Sequence, residues 1–164
     1  VSGTLPASAV SCSPASGSMF YAGPGVTVIC SAKDAARNTG TTSFTVHVRY
    51  VFSGFFRPVD NLPTTNTVKA GQAIPVKFSL GGNQGLSIFD AGYPKAVAMN
   101  CAFETVDAIE ETVTAGGSTL QYDAAAGQYI YVWKTDKAWA GTCRQLQVKY
   151  KDGSTQVANF NFTR

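Results

Sequence analysis

Cys12, Cys30, Cys101 and Cys143 are the residues whose type and spacing say most about chemistry. Neither pair has the CxxC spacing of a zinc knuckle or a thioredoxin-like site, and the lone histidine, His47, cannot complete a mixed metal site with them. Two disulfides are therefore expected. Other pairings are formally possible, but Cys12–Cys30 and Cys101–Cys143 keep each bridge within its own half of the chain. On the loop-entropy model each is worth about 3–4 kcal/mol. An even number of cysteines in short β modules points to an oxidising compartment, so the chain is expected to be secreted, extracellular or at a cell surface.

Catalysis needs a constellation, and none assembles. His47 falls on the strand face opposite Phe44, Val46 and Val48, where it reads as a solvated residue. There is no GxSxG elbow, no HExxH and no phosphate-cradling GxxxxGK[ST]. Asp107, Glu110 and Glu111 form the one acidic cluster, but on a strand Glu110 and Glu111 face opposite ways and cannot serve one site as an acid/base pair. In the loops DAARNTG and PVDN, asparagine and aspartate offer hard oxygen ligands, yet one carboxylate per loop is thin for calcium. The expectation is a non-enzymatic chain with no catalytic residue, no metal and no cofactor. The net charge of +3 is spread without a stripe of Lys and Arg, which argues against nucleic acid. No run approaches the ~20 apolar residues of a membrane span, so no membrane insertion is expected.

Aromatic residues give two opposed readings. Tyr129, Tyr131 and Trp133 alternate with Ile130 and Val132, making one strand face a row of rings that could stack on sugars. Core is favoured, because Trp133 lies between Cys101 and Cys143 in sequence, like the tryptophan that packs on an inter-sheet disulfide in immunoglobulin domains. Trp139 and Tyr93, in irregular segments, are the candidates for exposed ligand or subunit contacts, together with Phe44 and Val46.

The elements that must position these residues are strands. The chain has 164 residues, 45% apolar and 14% charged, with 16 Gly and no long helix-forming run, which favours an all-β class. Strands are expected at Ala7–Cys12, Val26–Ala32 and Thr41–Arg49, with Asp34 and Asn38 forming a turn and Gly40 closing it. At Tyr50 the alternation breaks, and no Pro-, Gly- or Ser-rich spacer separates Arg49 from Tyr50. Two domains, residues 1–49 and 50–164, would therefore share a nearly continuous, stiff strand. Beyond the junction, Pro75 sits at the centre of a strand and cannot donate to a ladder, so that strand belongs at an edge or a bulge. Further strands are expected at Lys95–Ala102, Ile109–Ala115, Ser118–Asp123, Gln128–Lys134, Thr142–Lys151 and Ser154–Thr163. A short paired segment is expected at Leu86–Phe89, and TDKAWAG reads as one turn of helix. Seven or so short strands at this spacing suggest a sandwich.

The stretch SCSPASGSMFYAGPGVTVICSAKDAARNTGTTSFTVHV resembles the C-terminal half of a HYR module, an immunoglobulin-like domain of extracellular proteins whose usual ending has the form VTCxAxDxAGNxxxxSFxVxV. The residues that carry it are Val28-Ile29-Cys30-Ser31-Ala32, Asp34, Ala36, Asn38 and Ser43-Phe44-Thr45-Val46. Arg37 stands where the family usually has glycine, so a tight turn there must be built differently. Residues 50–164 resemble the bacterial PxKF module, with the naming signature Pro75-Val76-Lys77-Phe78, YVFSGFFRPVDN before it and TDKAWAGTC after it. The resemblance implies two consecutive immunoglobulin-like β-sandwich modules, secretion, and association with surface or multidomain proteins.

A complete immunoglobulin-like sandwich needs roughly 100 residues and seven strands. The strands that begin a HYR module are missing ahead of Arg49, so the first module is expected to be incomplete and Val26, Val28, Phe44 and Val46 partly exposed. Val1-Ser2-Gly3-Thr4 lacks the basic start and apolar stretch of a secretion signal, so the chain is expected to be mature or cut from something longer. Either such a cut accounts for the gap, or a strand fills it by β-augmentation, supplied by another copy or by a neighbouring domain of the same parent. Repeated head to tail, that contact builds a filament. The contrasting expectation is a glycan- or peptide-binding appendage of a larger secreted enzyme. An exposed aromatic row would favour the appendage, and an open groove beside Thr41–Arg49 would favour assembly.

Overall fold

The computed structural model describes residues 10–103 and 118–164. The fold is all-β, and the chain divides into two compact units, Val1–Arg49 and Tyr50–Arg164. The expected strand at Ile109–Ala115, the acidic cluster and residues 7–9 of the first expected strand lie outside the described residues.

The first unit is one antiparallel sheet in the order β1-β2-β3, with β1 Val10–Ser13, β2 Val26–Lys33 and β3 Thr39–Val46. Period-2 alternation puts Cys12, Val26, Val28, Cys30, Phe44 and Val46 on one face, and the register sets Val28 opposite Phe44 and Val26 opposite Val46. Cys12 lies directly opposite Cys30, and the two are joined in a disulfide across adjacent strands of this sheet. The turn between β2 and β3 closes on itself. Asp34 N–H donates to the Asn38 carbonyl at 3.0 Å, while Asn38 N–H and Nδ2 donate to the two Asp34 carboxylate oxygens at 2.8 Å each. Gly40 is thus not needed to close the loop; it lies inside β3, opposite Ala32.

The expected continuous strand through Arg49 and Tyr50 is not formed. β3 stops at Val46, and residues 47–54 belong to no strand. The reason is where their backbone groups go: the Gly23 N–H donates to the Val48 carbonyl, and the Tyr50 N–H donates to the Asp152 carboxylate at 2.8 Å. Tyr50 and Phe52 pack against the core of the second unit, Phe52 edge-on to Phe55 at 5.2 Å, while Val51 between them is exposed.

Among the described residues, the second unit is a sandwich of two four-stranded sheets. One has the order β5-β11-β10-β7 (Thr65–Lys69, Thr155–Thr163, Cys143–Lys149, Lys95–Met99), with β5 parallel to β11 and the other pairs antiparallel. The other has the order β4-β6-β9-β8 (Phe55–Phe56, Ala73–Phe78, Gln128–Lys134, Thr119–Asp123). Alternate residues of β6 and β9, including Val76, Phe78, Tyr129, Tyr131 and Trp133, meet Leu146, Val148, Phe160 and Phe162 of β10 and β11 in one buried core. β6 lies inside its sheet, yet β4 pairs only with Lys77 and Phe78, so at Pro75 the strand is locally an edge, as a proline requires. Ile88 is fully buried, and the excursion that carries it pairs through Phe89 with Tyr150.

The Cys101–Cys143 bridge joins β10 to the turn after its neighbour β7, in one sheet, and does not cross the sandwich. Trp133 is core for another reason: its ring meets Phe160 at 5.0 Å, Trp139 at 5.8 Å and Phe162 at 5.9 Å.

Burial holds Tyr131 and Tyr150 above the ordinary tyrosine pKa, with the nearby Asp152 carboxylate a second cause at Tyr150. Unfolded tyrosines ionise near pH ~10, so this contribution to stability is complete below that pH and is lost as pH rises toward the folded values. A spectrophotometric titration from pH ~9 to ~12 should show part of the phenolate absorbance rising together with the loss of near-ultraviolet dichroism. Ionisation of every tyrosine in a still-folded chain would contradict this packing.

Candidate functional site

Among the described residues, the outer edge of β3 is unpaired. Because Asp34 and Asn38 are a hydrogen-bonded pair, even-numbered residues of β3 direct their backbone groups to β2, and Thr39, Thr41, Ser43 and Thr45 direct theirs outward. The sequence TGTTSFTV has no charge and no proline, the usual protections of an edge strand. Threonine-rich and β-branched, it is a good strand former that presents a bare ladder.

The apolar face beside that edge is only partly covered. Val28 and Cys30 are buried, but Phe44 is 54% exposed and Val26 also reaches solvent. Phe20, from the loop between β1 and β2, folds partway over the sheet. Between it and β3 lies a groove of about 260 Å³ lined by Cys12, Pro14, Phe20, Val28, Phe44 and Val46. Met19 and Tyr21 on either side of Phe20 are exposed. A second depression on this face, about 310 Å³, is lined by Val10, Cys30, Ala32, Gly40 and Thr42 among others. Phe44 and Val46, expected as ligand or subunit contacts, both line the first of these grooves.

Backbone geometry sets this surface at two points. A Cβ on Gly25 would fall 2.5 Å from His47 Cε1 and 2.6 Å from Thr45 Cγ2, so glycine lets the start of β2 approach the end of β3. Arg37 adopts φ +69°, the left-handed conformation that glycine takes at little cost. The turn is held by Asp34, whose carboxyl lies below its usual pKa because the Asn38 side-chain amide, and then the Asn38 backbone N–H, donate to its charged form.

The other candidates are dispersed. Trp139 is not an exposed contact: the 3-10 turn Lys137–Trp139, capped by Asp136 accepting from Ala138 N–H at 2.8 Å, places the indole in the core at 3% exposure. It packs on Trp133 and Phe162, with the Arg144 guanidinium 4.4 Å over its ring. An irregular segment therefore hid a core residue from a reading based on strand period. Tyr93 is half-buried, flanked by the ammoniums of Lys95 at 5.1 Å and Lys149 at 5.8 Å, and Lys149 is paired with Asp90 at 2.8 Å. That pair lowers the Asp90 pKa and raises that of Lys149, chiefly through their hydrogen bond. The row Tyr129, Tyr131, Trp133 is buried. His47 is exposed. Among the described residues no group of three or more His, Cys, Asp or Glu could hold a metal ion. Nor, among them, is any helix long and apolar enough to cross a membrane. Gly40 was expected only as a turn residue, and the exposed pair Met19 and Tyr21 was not singled out from sequence; the signal available was the uncharged run that Gly40 interrupts.

No protein-family model matches this chain, and no curated protein matches it.

Replacing Arg37 with glycine should relieve the left-handed residue and stabilise the first unit by about 1 kcal/mol, seen as a higher thermal midpoint. An unchanged or lower midpoint would show that Arg37 is not strained there.

Proposed function

We propose that this chain is a secreted, non-enzymatic structural or adhesive protein of a bacterial surface, whose first unit self-associates by strand pairing. The observation that carries this reading is the β3 edge, unpaired among the described residues, beside a half-covered apolar face. An added strand satisfies the outward N–H and C=O groups of Thr39, Thr41, Ser43 and Thr45, and its alternate side chains fill the groove. The donor is another copy or a neighbouring domain of the same parent. Where the donor strand lies elsewhere on the copy, the contact is head to tail and the product is a filament.

Two disulfides fit an oxidising environment outside the cytoplasm. The resemblance of the first unit to the end of a HYR module, and of residues 50–164 to a PxKF module, supports the same setting. The competing reading, a glycan- or peptide-binding appendage of a secreted enzyme, loses its main support because the aromatic row is core. It keeps Tyr93 between two lysines as a place for an acidic sugar to stack.

Negative-stain electron microscopy of the oxidised chain over a range of concentrations tests the proposal. Concentration-dependent assemblies, with a repeat near one subunit length where they are fibres, are expected. Monomers at every concentration would sink self-association and redirect the search to glycan arrays.

A further inference from the structure

Gly40 is a glycine that the isolated unit does not explain. It lies within a strand, its φ is not in the left-handed region, and a Cβ placed on it meets nothing within 4 Å. Glycine inside a strand weakens it, and it often marks a bulge, a bend, or a close approach by a ligand or another backbone; β3 is paired in continuous register with β2 through Gly40, which leaves the close approach. Four positions along the same strand and on the same face stands the opposite feature, Phe44, large, apolar and 54% exposed. Gly40 helps line the depression of about 310 Å³ with Val10, Cys30, Ala32 and Thr42. One strand therefore carries a knob and a hole, symmetrically placed about Thr42.

Resting on the reading that the first unit self-associates, we infer that its partner is β3 of a second copy, paired antiparallel about a two-fold axis at Thr42. This register sets Thr41 opposite Ser43, Thr39 opposite Thr45, and Gly40 opposite Phe44 of the second copy. Each Phe44 ring then lies over the Gly40 of the other chain and fills its depression. The outward backbone groups are those of Thr39, Thr41, Ser43 and Thr45, so the pairs that must exchange hydrogen bonds are the ones brought together. No charged residue lies within β3, so the strand meets itself without repulsion. The contact is isologous and closes at two chains; a fibre then needs a second contact elsewhere.

The test uses the full oxidised chain. Sedimentation velocity should show a reversible dimer, and Gly40→Val should weaken dimerisation by about tenfold or more, the effect of denying a buried aromatic its pocket. The same substitution should leave the thermal midpoint of dilute protein unchanged or raised, since the added side chain meets nothing in the monomer. Thr42 is a non-hydrogen-bonded position on the outer edge, where facing Cα atoms stand about 4.5 Å apart, within disulfide reach. Thr42→Cys should therefore form a covalent dimer in a glutathione buffer, while Ser43→Cys, offset from its own copy, should not. Thr42→Cys leaves knob and hole intact, so it reports the register even where Gly40→Val unfolds the sheet. Self-association without the Thr42→Cys cross-link would overturn the isologous contact and leave self-association standing. A wild-type chain that stays monomeric would overturn both.

Discussion

Every backbone N–H and C=O in a strand needs a partner, and a sheet that does not close on itself must end somewhere. The second unit ends its sheets on short strands: β4 has 2 residues, and β5, β7 and β8 have 5 each. In the first unit β3 runs for 8 residues without charge or proline. Among the described residues, the same physical requirement is thus kept small in one unit and left open in the other.

The two units also differ in what holds them. In the second, apolar faces of two sheets meet, and rings do much of the filling: Trp133, Trp139, Phe160 and Phe162 at one part, Phe78, Tyr129 and Tyr150 at another. Burial on this scale is the main support of this unit, beside its one disulfide. The first unit has, among its described residues, only Val28 and Cys30 as buried apolar side chains. Three strands with one face half open gain little from burial, and the Cys12–Cys30 bridge, set between directly paired residues, fixes β1 to β2 where packing is thin. Small sheets of this kind depend on a cross-link or a partner, and this one has the first in place and room for the second.

Asp152 shows how a buried polar group can locate a unit's start. Its carboxylate accepts from the Tyr50 N–H and from both the N–H and the hydroxyl of Ser154, so the turn between β10 and β11 grips the first residue of the second unit. The grip takes the Tyr50 N–H out of any ladder. Strand period could not reveal this, since the partner lies about a hundred positions away.

Local pattern alone determined a good deal. Alternation located β2, β9, β10 and β11, because a strand with one face buried must repeat every second residue, and it placed Val28 and Phe44 on a common face. Spacing of the cysteines within each half suggested the bridges that form. Irregular segments obey no such period, so Trp139 looked exposed until the fold brought it against Trp133, and Gly40 looked like a turn residue until the Asp34–Asn38 bonds closed the turn without it. The sheet of each bridge, the locally free edge at Pro75 and the bare edge of β3 depend on which strands become neighbours. That choice is made by long-range pairing and face-to-face burial, which no window of sequence contains.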